Sequence, residues 1–401
     1  MSYAELALAA PGTTSSGIAL AERDLRARRN SKWAVAPDVL PAFIAEMDFK
    51  IAAPIQEAIE HVVHTQDYGY PHRDGGKLER VVADVFAARM KSRFNWSADP
   101  ELVSVVSNPV QASACSVAAF SEPGDEILLH LPSYPPLQKI IHELERQLVP
   151  IPMSDNGERF VFDLAELPAS TRGKLLLLCN PHNPTGRAFT RDELLAVGKY
   201  AIDHDLIVVS DEIHADIVFS GHQHIPFAAL AQELAERTIT LASASKGFNL
   251  PGLRCAVMHF GTPALKDRFT RRFPSRLLGS TNILGMEATI AAWTKGDAWL
   301  AAVLRTLDEN RKRVATFVAG IPGLTMRLPE STYLGWIDCS GLKLEESAFQ
   351  FFLERARVKF SPGETFQPDL TSFVRLNFAT SDVILAAIGS RMASAVASAT
   401  T

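Results

Sequence analysis

The stretch Ser243-Ala-Ser-Lys-Gly-Phe-Asn-Leu-Pro-Gly-Leu-Arg254 decides how the rest of the chain is interpreted. It follows a short apolar run, Thr238 to Ala242, whose composition predicts a β-strand. One lysine, Lys246, stands between small residues and a turn rich in Gly, Asn and Pro. We therefore expect Lys246 on a loop at the end of a strand, where small neighbours leave room for a planar group beside its amine.

Composition limits the class of protein. The chain has 401 residues, 47% of them hydrophobic, and a net charge of -5. This length predicts two domains, or one large α/β domain with a smaller partner. The mild acidity argues against nucleic acid or an anionic membrane as a partner. Four widely spaced cysteines without a C-x-x-C pair favour reduced thiols and a cytoplasmic location, with no metal site.

The order of elements predicts an α/β fold. Apolar strands alternate with helices between Leu102 and Phe260, which is typical of a mostly parallel sheet covered on both faces. A helical region, 288–319, is broken near Lys295-Gly-Asp297 and leads to a smaller part with two strands and two helices. The predicted units are an N-terminal arm with part of the small domain (1–48), a large domain (49–287) and a small C-terminal domain (288–401).

Polar residues follow the predicted strands. In an open α/β sheet, ligands bind at the carboxyl ends of the strands. The candidates at these ends are Asn108, Ser133-Tyr134, Asn180 to Gly186, Asp211 and Lys246. We expect these five strand ends to meet at one site.

Their chemistry suits pyridoxal phosphate, which needs a lysine for a Schiff base, an acid at its pyridine nitrogen, a phosphate site and a flat wall. Lys246 suits the first role, and Asp211, emerging from a buried strand, suits the second, although an isolated Asp there is more often a cap. Tyr134, on a stiff turn before two prolines, is a candidate wall. Asn183 could donate to the ring oxygen of the cofactor.

The phosphate could bind at the start of the helix predicted over 110–120. Free N–H groups and the helix dipole favour an anion there, although every helix start has such groups. The candidate contacts are Val110, Gln111, Ser243, Ser245 and Arg254.

Arg375 alternates with apolar residues in a predicted strand, Phe373 to Phe378. A buried arginine needs a partner, and its planar guanidinium matches a carboxylate with two parallel hydrogen bonds. A substrate carboxylate and an internal ion pair are equally compatible with this pattern.

A competing motif is present. Ser243-Ala-Ser-Lys246 is a literal S-x-x-K and Ser154-Asp-Asn156 a literal S-D-N, both of which occur in penicillin-recognising serine acyltransferases. In those enzymes S-x-x-K comes first and opens a helix. Here the order is reversed, no K-T-G is present, and Asn249-Leu-Pro-Gly252 follows within one turn. We therefore reject this interpretation.

Together the segments resemble a known family. Asn180-Pro-His-Asn-Pro-Thr-Gly186, Ser210-Asp-Glu-Ile-His214 and Ser243 to Asn249 look like fold-type I pyridoxal-phosphate enzymes of aminotransferase class I/II. Ala45-Glu-Met-Asp-Phe49, Tyr68-Gly-Tyr70 and His224-Ile-Pro226 narrow the resemblance to the cystathionine β-lyase subgroup typified by MalY and PatB.

This resemblance implies an aspartate-aminotransferase-like fold, with a mostly parallel seven-stranded sheet and a smaller α+β domain, and a homodimer with a shared active site. It implies a Schiff base at Lys246, Asp211 at the pyridine nitrogen, Asn183 at the ring hydroxyl and Tyr134 stacked on the ring. Arg375, with Asn183, would hold the substrate carboxylate.

Three further residues are assigned by the resemblance. Tyr70 would reach from the partner subunit towards the phosphate and substrate. His214 stands where aminotransferases usually have tyrosine, as in the lyase subgroup, and would lie at the cofactor. The turn Val106 to Gln111 and the loop Phe366 to Ser372 lack the glycines usual in the family, so Gln111 is expected to touch cofactor or substrate.

The implied activity is carbon–sulfur β-lysis of cystathionine or another S-substituted cysteine. An aminotransferase would use the same residues. Two other possibilities stay open: an enzyme of specialised metabolism acting on an S-conjugated cysteine, by β-elimination or by decarboxylation with oxidative deamination, and a non-catalytic regulator acting through a protein partner.

Overall fold

The computed structural model describes residues 17–73, 76–164, 167 and 172–399 of the chain. Residues 1–16 of the predicted N-terminal unit, 1–48, lie outside these residues. The first described elements, in chain order, are helix α1 (Glu22–Arg26), strand β1 (Leu40–Pro41), helix α2 (Ala53–Thr65), the hairpin strands β2 (His72–Arg73) and β3 (Gly76–Lys77), and helix α3 (Leu78–Phe94).

An eight-stranded sheet forms the centre of the molecule, in the order β4-β11-β10-β9-β8-β5-β6-β7. Its strands are β4 (Val103–Val106), β5 (Glu126–Leu131), β6 (Gln147–Asp155), β7 (Phe160–Phe162), β8 (Gly173–Cys179), β9 (Ile207–Asp211), β10 (Thr238–Ala242) and β11 (Ala256–Phe260). The pairs from β10 through β9, β8 and β5 to β6 are parallel, whereas β11 is antiparallel to both of its neighbours. The predicted mostly parallel sheet is confirmed. It has one strand more than expected, because a hairpin after β6 adds β7.

Helices cover both faces of this sheet. The helices of this part of the chain are α4 (Pro109–Phe120), α5 (Pro135–Glu143), α6 (Arg191–Asp203), α7 (Gln232–Glu236), α8 (Ala244–Gly247), α9 (Pro263–Arg272), α10 (Ser275–Leu278) and α11 (Ile283–Lys295). Helix α12 (Asp297–Ala319) follows and packs mainly in the core of the C-terminal part. Leu175 and Leu177 of β8 pack in one core cluster with α4 and α5, and Leu176 and Leu178 pack in another with α6. Alternate residues of a strand point to opposite faces, so a continuous apolar run is what burial on both faces requires.

The C-terminal part forms a second, four-stranded sheet with the order β12-β13-β16-β15. Its elements are β12 (Thr325–Met326), β13 (Leu334–Asp338), α13 (Ala348–Phe351) continuing as a π-helix (Phe352–Ala356), β14 (Val358–Lys359), β15 (Ser361–Pro362), β16 (Phe373–Asn377) and α14 (Asp382–Ala399). Strand β14 pairs with β1, and Trp33 and Phe49 share the core of this part.

The predicted domain boundaries stay predictions. Residues before 49, among them Trp33 and Leu40, pack in the core of the C-terminal part. The boundary at 287 falls within α11, whose residues Met286 to Trp293 pack with α2 and α3. The predicted helix break near Gly296 separates α11 from α12.

Helix α14 is long and apolar enough to cross a membrane by length and composition alone. Its residues Ile384, Leu385, Ile388 and Met392 are buried in the core of the C-terminal part. A core helix of a folded domain has these properties, so the helix is explained by its packing.

Candidate active site

A cavity of about 320 Å³ lies at the carboxyl ends of the central strands. The residues predicted for the site that line it are Val110, Tyr134, Asn183, Asp211, His214, Ser243, Ser245, Lys246, Arg254 and Arg375. Gln111 and Tyr70 do not line it. The ends of five strands, β4, β5, β8, β9 and β10, and an arginine from the second sheet thus meet at one place, as the alternating pattern predicts.

Lys246 lies on α8, a single helical turn, and not on a loop as expected. The turn forms because the Ser243 hydroxyl caps it, accepting a hydrogen bond from the Ser245 N–H at 3.1 Å. The Ser243 hydroxyl in turn donates to the Cys255 carbonyl oxygen at 2.7 Å, which ties the turn to the start of β11.

The amine of Lys246 points away from solvent and donates to the Ala45 carbonyl oxygen at 2.8 Å. Burial, and then the positive charge of Arg375, lower the pKa of this amine to about 8, while Glu46 and Asp211 oppose the shift. A lysine with this pKa is partly neutral near pH 7 to 8, so its nitrogen can act as a base or a nucleophile.

Asp211 is the last residue of β9, and its side chain is 7% exposed. One carboxylate oxygen accepts a hydrogen bond from the Ile213 N–H at 3.2 Å, so the residue also caps the turn that follows. Burial raises the pKa of this carboxyl to about 6, although the Ile213 N–H lowers it. A buried carboxylate of this kind is stabilised by a nearby cation, such as a protonated pyridine nitrogen.

Arg375 is buried, and its hydrogen-bond partners are neutral. Its guanidinium donates to the Asn183 amide oxygen at 2.8 Å, the Ser361 hydroxyl at 3.0 Å and the Phe43 carbonyl oxygen at 3.1 Å. Its Nε has no partner, and burial lowers the pKa of Arg375 to about 10. Within the described ranges, no carboxylate forms an ion pair with it, so the structure does not provide the internal ion pair that the sequence left open.

The contact with Arg375 also orients Asn183. Because a guanidinium only donates, the Asn183 oxygen must face it, and the amide nitrogen is left for the cavity. Asn183 is 5% exposed and lies in the loop after β8, where it begins the second of two Asn-Pro units.

His214 and Tyr134 also line the cavity. Burial, with the charges of Lys246 and Arg375, lowers the pKa of His214 to about 3, so its imidazole is neutral at physiological pH. Burial raises the pKa of the Tyr134 phenol, which stays a neutral donor. Tyr134 immediately precedes α5, where Pro135 and Pro136 fix the direction of the chain.

The start of α4 borders the cavity through Asn108, Pro109 and Val110. The Asn108 side-chain oxygen accepts a hydrogen bond from the Gln111 N–H at 2.9 Å. The Gln111 side-chain oxygen accepts one from the Ser107 N–H at 3.3 Å. The expected contact of Gln111 with cofactor or substrate is therefore not provided, because its amide closes the turn that starts the helix. Val110, in the first turn of α4, lines the cavity.

Tyr70 is fully exposed, with a relative accessibility of 102%, and lies in the segment between α2 and β2. Its hydroxyl therefore does not belong to the cavity of its own chain. An assignment to the cavity of a second subunit stays a prediction.

The sequence did not assign a role to the segment Phe43 to Met47, which we call the strap. Each of its five consecutive carbonyl oxygens accepts a hydrogen bond from a side chain distant in sequence. The donors are Arg375 to Phe43, Asn377 to Ile44, Lys246 and Tyr333 to Ala45, Asn377 and Lys32 to Glu46, and Asn249 to Met47. The Ala45 to Phe49 motif was the only signal of this role, because backbone acceptors leave no mark on residue type.

The chemistry of these groups fits pyridoxal phosphate. One cavity holds a lysine of lowered pKa, a buried carboxylate and an oriented amide donor. Val110 at a helix start, the hydroxyl of Ser245 and Arg254, which forms no ion pair with any of the described residues, also line the cavity and suit a phosphate. The guanidinium of Arg375 is left for a carboxylate. This combination defines a pyridoxal-phosphate-dependent enzyme that acts on amino acids.

The comparison with known families agrees with this class. The model of the family aminotransferase class I and II matches residues 51–388, so the chain belongs to this family, and its cofactor is pyridoxal phosphate. The predictions of family, fold class and cofactor are confirmed.

Individual relatives place it more closely. The cystathionine β-lyase PatB of Bacillus subtilis is 31% identical over 85% of this chain and 88% of its own. The crystal structure of OvoB is 37% identical, with a TM-score of 0.87, and the match covers 93% of this chain and 97% of OvoB. The PLP-bound C-S lyase of Staphylococcus hominis is 27% identical, with a TM-score of 0.84, over 92% of this chain and 97% of that protein.

Proposed function

We propose that the protein is a carbon–sulfur β-lyase that converts cystathionine or another S-substituted L-cysteine to pyruvate, ammonia and a thiol. The observation that carries the proposal is the buried guanidinium of Arg375, which has only neutral partners and shares a cavity with the amine of Lys246. A substrate carboxylate on Arg375 would bring an α-carbon towards that amine. The names of relatives, a cystathionine β-lyase and a C-S lyase, support cleavage of a C–S bond.

Each residue then has a defined task. Pyridoxal phosphate, when bound, supplies an electron-withdrawing ring that stabilises negative charge on the substrate α-carbon. Asp211 would keep a proton on the ring nitrogen, Asn183 would donate its amide hydrogen to the ring oxygen, and Tyr134 would cover the ring face. Val110, Ser245 and Arg254 would hold the phosphate, whereas the expected phosphate contact of Ser243 is not provided, because its hydroxyl caps α8 and donates to Cys255.

Lys246 moves the protons. Its neutral amine takes the α-proton at Nζ, and the resulting ammonium can return that proton to the sulfur that leaves the β-carbon. General acid–base work of this kind contributes about 10²–10⁴-fold to the rate. The remaining three-carbon fragment, once released, hydrolyses to pyruvate and ammonia.

An aminotransferase is the second candidate, because the family that matches the chain carries that name. The same residues would then serve a different outcome, in which Lys246 returns the proton to the cofactor carbon and no C–S bond breaks. His214 and the loop before Arg375 are the places where we expect the outcome to be decided.

Product analysis separates the two candidates. The protein is supplied with pyridoxal phosphate and incubated with cystathionine and with S-alkyl cysteines. Pyruvate, ammonia and free thiol in equal amounts support the lyase. A keto acid that still carries sulfur and forms only when an amino acceptor is added would replace the lyase by the transferase.

The attachment of the cofactor is tested separately. We expect borohydride to remove the visible absorbance and to fix a pyridoxyl group on the peptide that contains Lys246. An adduct on another lysine would refute the assignment of Lys246, whatever the reaction products are. Lys246→Ala should lose both the adduct and the activity.

We also propose a cytoplasmic homodimer whose active site is completed by Tyr70 of the partner subunit. The full exposure of Tyr70 supports this assignment. Hybrid dimers of Tyr70→Phe and Lys246→Ala chains test it: one of their two sites has both wild-type residues if Tyr70 acts across the interface, and neither site does if it acts within its own chain. Activity no higher than that of the parents would refute sharing of the site.

A further inference from the structure

We infer that Tyr333 and the carbonyl oxygen of Ala45 form the resting position of the Lys246 amine whenever that amine is not bonded to the cofactor. Tyr333 is then a positioning residue, which acts on Lys246 through a shared acceptor. The inference rests on the proposed role of Lys246 and adds a residue to which the reaction scheme above gives no task.

The geometry brings both donors to one oxygen. The amine of Lys246 lies 2.8 Å from the Ala45 oxygen, and the hydroxyl of Tyr333 donates to the same oxygen at 2.9 Å. Tyr333 is 1% exposed, and its ring meets His214 edge to face at 6.0 Å. The hydroxyl therefore has a fixed position beside the amine.

The backbone on both sides of the Ala45 carbonyl is also held in place. Asn377 donates to the carbonyls on both sides of Ala45, at 2.6 Å to Ile44 and 2.7 Å to Glu46. With Tyr333 on the Ala45 oxygen itself, three consecutive carbonyls of the strap are fixed. The oxygen that receives Lys246 cannot follow the amine as it moves, so it defines one return position.

A neutral acceptor suits the chemistry of a base. A carboxylate in contact with the amine would hold it as ammonium, whereas a carbonyl binds an N–H without adding a formal charge. Arg375 from β16 disfavours the charged amine, and Asp211 from β9 and Glu46 from the strap favour it. His214 is neutral, and burial raises the pKa of the Tyr333 phenol, so Tyr333 donates a hydrogen bond and does not exchange its proton.

Because Tyr333 and Lys246 share one acceptor, the direction in which Tyr333 shifts the pKa of Lys246 can be stated. Its hydroxyl hydrogen carries a partial positive charge and points at the oxygen that the amine also approaches. This charge disfavours the ammonium form of Lys246 relative to the neutral form. Removal of the hydroxyl must then raise the pKa of Lys246, and a stronger donor at the same place must lower it.

The test measures Lys246 itself and not turnover. The full-length protein is freed of cofactor and labelled by competitive acetylation at a series of pH values, and mass spectrometry of the Lys246 peptide gives the pH midpoint of its reactivity. For Tyr333→Phe we expect the midpoint to rise by about half a pH unit, a fraction of the shift that a full charge causes. Tyr200→Phe, which removes a hydroxyl from α6, is the matched control and should leave the midpoint unchanged.

A second variant guards against a folding defect and reverses the sign. Replacement of Tyr333 by 3-fluorotyrosine keeps the shape and the hydroxyl but makes it a stronger donor, so the midpoint should fall. In the holoenzyme, Tyr333→Phe should lower kcat with KM nearly unchanged. Midpoints that do not move, or that move in the same direction in both variants, would overturn the inference. If borohydride still fixes the adduct on Lys246, the proposed cofactor lysine stands even then.

Discussion

The buried ion pair between Lys32 and Asp48, which contacts the strap, offers a test of how the site is supported. Lys32 and Asp48 lie 2.8 Å apart, with side-chain exposures of 1% and 2%. The other oxygen of Asp48 accepts from the Trp33 indole N–H at 2.8 Å, and Lys32 also donates to the Glu46 carbonyl of the strap. The change Asp48→Asn removes the charge and keeps the shape.

The expected cost follows from burial. Asp48→Asn leaves the Lys32 ammonium buried without a counter-ion, which costs about 3–5 kcal/mol in free energy of unfolding. Replacing both residues by apolar ones of similar volume, Lys32→Met with Asp48→Leu, should cost much less, because no unpaired charge stays buried. The exposed pair Lys199–Asp203 is the matched control, and Asp203→Asn should cost at most about 0.5 kcal/mol.

Urea-induced unfolding of the cofactor-loaded protein, followed by far-ultraviolet circular dichroism, measures all three variants. The reasoning is refuted if Asp48→Asn is no more destabilising than Asp203→Asn. It is also refuted if the double variant is as unstable as Asp48→Asn, since the loss would then come from shape and not from the unpaired charge.

Three further outcomes follow from the site. Arg375→Lys should raise KM by about 10–100-fold, because an ammonium cannot make the two parallel bonds of a guanidinium to a carboxylate; steady-state kinetics with an unchanged KM would contradict the role of Arg375. Asp211→Asn should lower kcat by at least about 10²-fold while borohydride still labels Lys246, since an amide does not keep the ring nitrogen protonated; wild-type turnover would argue against this role. Burial lowers the pKa of Lys246 to about 8 from 10.5, and only the neutral amine reacts, so the rate at which cofactor-free protein combines with pyridoxal phosphate should rise with pH and level off above about 8. In stopped-flow absorbance, a rate that keeps rising to pH 10 would exclude the lowered pKa.

Most of the predicted residues that line the cavity stand at strand ends, whereas Arg375 was predicted as a charged residue within the apolar strand β16. Asp211 and Lys246 follow apolar runs, and the parallel arrangement of β9 and β10 brings the ends of such runs to one edge of the sheet. Asn183 and Tyr134 were found in the same way. The side chain and the strand that carries it are both visible in the pattern.

Strand β6 was not predicted, and its sequence explains why. Gln147 to Asp155 contains Pro150 and Pro152, which usually argue against a strand inside a sheet. In the structure β6 has β5 along one side, where Pro150 and Pro152 lie opposite Leu129 and Leu131. On its other side, β7 pairs with residues 153–155, beyond the two prolines. Among the described residues no strand pairs with the two proline positions on the other side of β6, so a missing N–H on that side costs no ladder hydrogen bond.

The strap and Tyr333 were missed for a different reason. The strap contributes through carbonyl oxygens, which every residue has, so no residue type identifies it. The single turn α8 was likewise hidden, because a helix of four residues shows no periodicity and its cap, Ser243, was interpreted as a phosphate contact. Contacts made by backbone atoms depend on the tertiary fold and leave little trace in the pattern.

The strap also joins parts of the chain that the ribosome produces at very different times. Its acceptors, Phe43 to Met47, are made first, whereas their donors Tyr333, Arg375 and Asn377 follow 288 to 333 residues later. A nascent chain that already carries Lys246 therefore lacks most of the groups that hold the strap. Since domains form as their residues become available, the catalytic site is completed only after residue 377 has left the ribosome.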